Sequence, residues 1–281
     1  MKLALCNEVI AAGRDFPAQC ALAAGLGYQG LEVAPFTLDE TPHLLSPTRL
    51  AEYRRMAEDA GMRISGLHWL LVKPDGLSLT SDDAGIREKT RDVMLRLVDM
   101  CAVLGGDVLV HGSPAQRRLP ASDAPDQNAD AARRHAQDIF ALVAERARQA
   151  GVVYCLEPLA APMANYINTL EEAAGIVAAI GNPALRSMID CLAARQMEEM
   201  PLPDLIDRYL PEGLIAHIQV NDSNKRGPGQ GKDDFAPLIA ALARHRYQGW
   251  IAVEPFEYFP DGLGCAARSI GYLHGLIEAT V

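Results

Sequence analysis

Eight short apolar runs, rich in β-branched residues, are each followed by a longer stretch of helical period. That strict alternation constrains the chain more than any other feature it has. The runs lie near 3–6, 31–34, 63–67, 108–111, 152–157, 186–190, 215–220 and 250–254. The helical stretches lie near 17–25, 47–60, 82–104, 130–150, 170–180, 203–209, 235–245 and 266–279. A strand, a crossover helix and another strand make parallel neighbours, and eight such units in succession can close a sheet on itself.

The pattern therefore predicts a (β/α)8 TIM barrel, one domain over residues 1–281. Punctuation agrees: Gly25-Leu26-Gly27, Gly61, Gly105-Gly106 and Gly151 fall between a helix and the next strand, where a left-handed helix end favours glycine. An internal echo, Tyr-Gln-Gly at 28–30 and again at 247–249, opens two similar units. The rival, an open doubly wound sheet, is disfavoured because no GxGxxG follows the first run and the count reaches eight. The polar stretch 117–128 reads as one long loop on the functional face.

Composition narrows the function. A net charge of −10 argues against nucleic acid, which needs clustered Lys and Arg. Six scattered cysteines without a CxxC pair read as reduced thiols. Leu3-Ala4-Leu5-Cys6 looks like a lipobox, but too few apolar residues precede it for a signal. No apolar run approaches the roughly 20 residues that span a bilayer. The expectation is a soluble, cytoplasmic protein that touches no membrane, with a homo-oligomer left open.

In such a barrel, side chains at the C-terminal strand ends converge on one mouth. Run five ends in Glu157-Pro158, run six in Asp190, run seven in His217-Ile-Gln219, and run eight in Glu254-Pro255. Proline keeps the residue before it extended, which holds both glutamates in strand geometry. Three carboxylates in a desolvated mouth repel, and each is costly to bury unpaired. No lysine in these runs neutralises them, so a divalent cation is expected: oxygen ligands suit Mg2+ or Mn2+, and one nitrogen would favour Mn2+ or Co2+. A single strand-end acid is more often a helix cap or a surface ion pair; four such groups on four successive strands are not. His68, His111 and Glu32 also end runs and are candidate substrate contacts, each with a structural alternative. The Asn224-Lys225-Arg226-Gly-Pro-Gly-Gln-Gly231 turn offers cations, with Lys225 as the candidate.

The chain resembles the xylose-isomerase-like barrels of sugar isomerases and epimerases, among them ketose 3-epimerases and hydroxypyruvate isomerases. The matching segments are Gly66-Leu-His68-Trp, Val110-His111-Gly, Leu156-Glu157-Pro158, Ile189-Asp190, His217-Ile-Gln219-Val-Asn-Asp222, Gly227-Pro-Gly-Gln-Gly231 and Val253-Glu254-Pro255-Phe. The resemblance puts one metal ion, Mn2+ foremost, on Glu157, Asp190, Gln219 and Glu254. The epimerases carry His-x-His at strand seven; here the second position is Gln219, as in the hydroxypyruvate isomerase branch. His217 is left as a substrate or supporting contact, and which of the two is the ligand stays open. Glu157 and Glu254 would pass a proton between substrate faces through an ene-diolate.

Departures matter too. Two positions that hold sugar hydroxyls in the ketose 3-epimerases are Met163 and Ala193 here. Arg195 instead brings a cation toward the mouth, which favours an acidic member of the expected small sugar or sugar-acid substrates. The leading expectation is a metal-dependent isomerase or epimerase of a small sugar or hydroxy-keto acid. A metal-dependent lyase, dehydratase or decarboxylase, is the alternative on the same chemistry. An abasic-site endonuclease would need a His-rich zinc cluster and a basic face, against seven histidines and a charge of −10. A non-catalytic sugar-binding barrel has no use for two opposed glutamates.

Overall fold

A computed structural model describes residues 1–120, 128–161 and 163–280. Eight parallel strands close into one barrel in chain order. They are β1 (Lys2–Cys6), β2 (Gly30–Val33), β3 (Arg63–Leu67) and β4 (Val108–His111), then β5 (Val153–Leu156), β6 (Leu185–Asp190), β7 (Ile215–Val220) and β8 (Trp250–Val253). The last strand pairs back onto the first, with Leu3 opposite Ile251 and Leu5 opposite Val253.

The first connection holds a short helix, α1 (Glu8–Ala11), before α2 (Phe16–Leu26). Then come α3 (Pro47–Asp59), α4 (Ala84–Leu104), α5 (Ala129–Ala150) and α6 (Leu170–Ile180). The sixth connection carries two helices, α7 (Cys191–Met197) and α8 (Leu202–Tyr209), and α9 (Ala236–Arg244) and α10 (Gly262–Thr280) complete the ring. Helices α1 and α7 were not expected. The α7 start is hidden in the sequence because its cap is Asp190, whose side chain accepts from the Ala193 amide at 2.7 Å. The expected glycine stops are present: Gly27, Gly105 and Gly151 each end a helix in the left-handed region. Part of the predicted 117–128 loop, 121–127, lies outside the described residues.

Strand alternation splits the core into two layers. Val108, Val110, Cys155 and Met188 pack on one another as a small separate cluster inside the barrel. Their neighbours Leu109, Tyr154, Leu156 and Ile189 belong to the large shell between strands and helices. At the N-terminal end Trp250 closes the interior; its indole N–H donates to Asp107 at 2.7 Å and Lys2 lies over the ring. Gly30 leaves that ring its space, since a Cβ there would overlap the indole. The packed bottom leaves the opposite mouth as the place where inward polar residues meet solvent.

Candidate active site

Counting by twos from the interior cluster fixes which strand-end residues reach the mouth. On β5 the inward series runs Val153, Cys155, Glu157; on β6 it runs Met188, Asp190. Registers pair Asp190 with Gln219 and Gln219 with Ala252, which carries Glu254 inward two residues on. Glu157, Asp190 and Glu254 meet as a buried cluster in which one carboxylate oxygen of each lies within 4.8 Å of the others. Two unit charges at that spacing repel by about 3 kcal/mol at an effective dielectric of about 20.

The electrostatics follow. Burial, then Asp190, pushes the Glu157 carboxyl up to about 8. Burial lifts Asp190 to about 6, against the opposing pull of its hydrogen bonds from the Ala193 amide and Asn221. Burial together with Glu157 and Asp190 drives Glu254 well above the usual carboxylate range. Glu254 Oε2 is buried without a hydrogen bond. Glycine at 112 makes room for Glu157, since a Cβ at this inward position of the β4 end would overlap Glu157 Oε2.

A second buried acid is treated differently. Glu32 on β2 is fully buried, and its Oε1 accepts from Gln219 Nε2 at 2.8 Å. His217 Nε2 lies 2.6 Å from Glu32 Oε2, off line for a hydrogen bond. Burial raises the Glu32 pKa, but His217, His68 and Gln219 outweigh it and hold the carboxyl below its ordinary value. An ionised carboxylate only accepts, so it takes the N–H side of the Gln219 amide and turns Oε1 away. That oxygen is buried without a partner.

Four of the candidate substrate contacts are engaged by partners within the protein. Glu32 and His217 lie against each other, both fully buried. His111 sits on the outward parity of β4: Nδ1 meets the Tyr154 hydroxyl at 2.7 Å, and the ring packs edge-on against Phe140 of α5. Burial and Arg117 hold its pKa well below the ordinary value. Arg195 pairs with Asp233 at 3.0 Å and lies over Phe235, so its charge is used on the β7 side. His68 and Lys225 do reach the mouth. His68 shares a cavity with Glu157 and Glu254. Lys225 lines an adjoining cavity of about 210 Å³ with Glu157, Asp190, Met163 and Ala193.

Sequence reading missed three contributors. Asn221 donates to Asp190 Oδ2 at 2.6 Å and accepts from the Leu192 amide, fixing the carboxylate's orientation. Glu8 meets His68 Nε2 at 2.9 Å. Its signal was available: position 8 continues the inward series Ala4, Cys6. Trp69, directly after His68, lines the cavity with a positive φ of 51°. Cys6, Glu8, His68 and Glu254 also bring ligand atoms together. There, however, Glu8 already holds His68, and burial with Glu32 keeps the Cys6 thiol protonated.

A family profile described as xylose isomerase-like TIM barrel matches residues 20–272. The chain belongs to this family. Within it, a D-psicose 3-epimerase of Agrobacterium fabrum is 27% identical over 236 residues, 83% of this chain and 76% of the relative. A D-psicose 3-epimerase of Ruminiclostridium cellulolyticum is 24% identical over 246 residues, 86% of this chain and 78% of the relative. Among solved structures, a 3-keto-D-glucoside 4-epimerase of E. coli superposes with a TM-score of 0.82 at 20% identity, covering 98% of this chain and 99% of the other. At that identity the superposition speaks for the xylose isomerase-like fold. No helix among the described residues is long and apolar enough to cross a membrane.

Proposed function

We propose that this chain is a divalent-metal-dependent epimerase or isomerase of a ketose-type sugar, working by proton transfer between Glu157 and Glu254. The observation that carries the reading is the cluster of three mutually repelling, buried carboxylates beside the unpartnered oxygen of Gln219. The named epimerase relatives support the reaction class.

The donor set fits a hard cation. Glu157, Asp190, Gln219 and Glu254 offer four oxygens, with His217 withdrawn onto Glu32, and an all-oxygen set suits Mn2+ or Mg2+. A divalent ion bound there supplies a Lewis acid that polarises a substrate carbonyl and acidifies the neighbouring C–H. Glu157 and Glu254 both line the cavity that His68 and Gly112 border. One removes the proton from one face of the substrate and the other returns a proton to the opposite face, through an ene-diolate. Asn221 holds Asp190 still during this exchange, and Glu32 holds the Gln219 amide. Buried Leu159 and the walls Trp69 and Phe256 limit water at the reacting carbon. His68, held by Glu8 through Nε2, forms part of the wall of this cavity.

Incubation of the metal-loaded protein in D2O with a panel of ketoses, followed by NMR, tests this. Deuterium should enter at the carbon beside the carbonyl with the carbon skeleton intact. Release of water or carbon dioxide from the sugar would instead assign the barrel to lyase chemistry. No exchange with any α-hydroxy ketone would remove the proposal.

A further inference from the structure

A second cavity of about 280 Å³ opens beside the catalytic one, walled by Phe36, Trp69, Val72, Phe256 and Tyr258 with Glu8 at its edge. Trp69 and Phe256 wall both cavities, so the two form one continuous surface with an aromatic ridge between them. Four of these side chains are left 36–40% exposed: Val72, Trp69, Phe256 and Tyr258. Large apolar side chains clustered in solvent mark a contact surface. Here the cluster adjoins a site built for a small polar ligand.

The chemistry of the walls selects the occupant. Aromatic faces take the C–H face of a sugar ring, and a carboxylate accepts from its hydroxyls. Glu8 uses Oε2 on His68 and makes no hydrogen bond through Oε1 among the described residues. No lysine or arginine lines this cleft. A phosphate or carboxylate there would meet Glu8 and no cation. Met163 and Ala193, which line the cavity that Lys225 borders, offer no side-chain N–H or O–H donor.

We propose that the aromatic cleft is a subsite for a neutral second sugar ring. The reacting unit is then the ketose end of a glycoside rather than a free or phosphorylated monosaccharide. This rests on the proton-transfer reading above.

The test compares solvent exchange and epimerisation of D-fructose, fructose 6-phosphate and the neutral ketose disaccharides lactulose, maltulose and isomaltulose. It uses metal-loaded wild type and Tyr258→Ala, a residue outside the catalytic cavity. At least one disaccharide should exceed fructose in kcat/KM by about tenfold, the effect of one good aromatic contact. Tyr258→Ala should erase that gain and leave fructose within about twofold of wild type. Fructose or its phosphate outpacing every disaccharide would overturn the subsite while leaving the proton-transfer reading intact. An equal loss on all sugars would make Tyr258 merely structural, also against it. Exchange with no sugar would defeat both readings together. Sedimentation of the same pair adds one more contrary outcome: a wild-type dimer that Tyr258→Ala dissociates would give the aromatic surface to a second copy of the chain.

Discussion

Glu32 and the Glu157–Asp190–Glu254 cluster are all buried in this barrel and are handled in opposite ways. Glu32, on the β2 side, is surrounded by His217, Gln219 and His68, and its pKa is held down despite full burial. Glu157, Asp190 and Glu254, on the β5–β8 side, face one another, and their pKa values are all raised. Buried charge persists where partners compensate it and accumulates strain where they do not. The first set is therefore a structural brace. The second is the set that we propose holds a divalent cation.

The largest expected effect is on turnover. Glu157→Gln and Glu254→Gln keep an oxygen and nearly the same volume but cannot accept a proton, so turnover should fall ~10²–10⁴-fold in each. Metal content measured on both proteins separates lost chemistry from lost ion. Near-normal turnover in either metal-loaded variant would erase the functional side of the contrast.

Stability should divide the two acid sets by sign. Glu32→Leu strands His217 and the Gln219 amide and should cost about 3–5 kcal/mol in chemical denaturation. Glu254→Leu removes an unpaired acid, so in the metal-free protein it should be neutral or stabilising. Equal destabilisation by the two would mean that Glu254 is braced as well as Glu32.

The pH dependence sharpens the same point. With folded pKa values of about 8 for Glu157 and about 6 for Asp190, above the ordinary 4.5 and 3.8, the metal-free folded state holds more protons than the unfolded chain. Its stability should therefore fall as pH rises from about 4 to about 8. Thermal melts across that range would show the slope, and saturating Mn2+ should flatten it, since binding needs the ionised ligands. A metal-free protein that gains stability with pH would contradict the reading. The smallest effect concerns strand seven: Gln219→Leu should weaken Mn2+ binding, whereas Gln219→His keeps a donor and should retain it. Equal affinity in both would return the ligand role to His217.

How much of this was legible beforehand depends on parity. The eight-fold alternation yields the barrel, and the carboxylate ends of β5, β6 and β8 were readable because two precede proline and all lie on inward positions. Strand-end position alone does not separate the two readings of His111, because it ignores the period of two; Gly112, its neighbour, is the inward one. Glu32 and His217 were visible as polar strand residues, but their mutual contact spans 185 positions and no local pattern encodes it. Arg195 was placed by spacing from Asp190, which could not foresee α7 swinging it toward Asp233. Asn221 was missed because its work is to orient another side chain.

The central claim is the proposal that the Glu157–Asp190–Glu254 cluster holds one divalent ion. Calorimetric titration of the metal-stripped protein with Mn2+ at pH 7, in two buffers of different ionisation enthalpy, tests it most directly. One ion should bind per chain with net release of protons, because burial and mutual repulsion raise the Glu157 and Glu254 carboxyls and the ion needs them ionised. No binding, or binding without proton release, would contradict it.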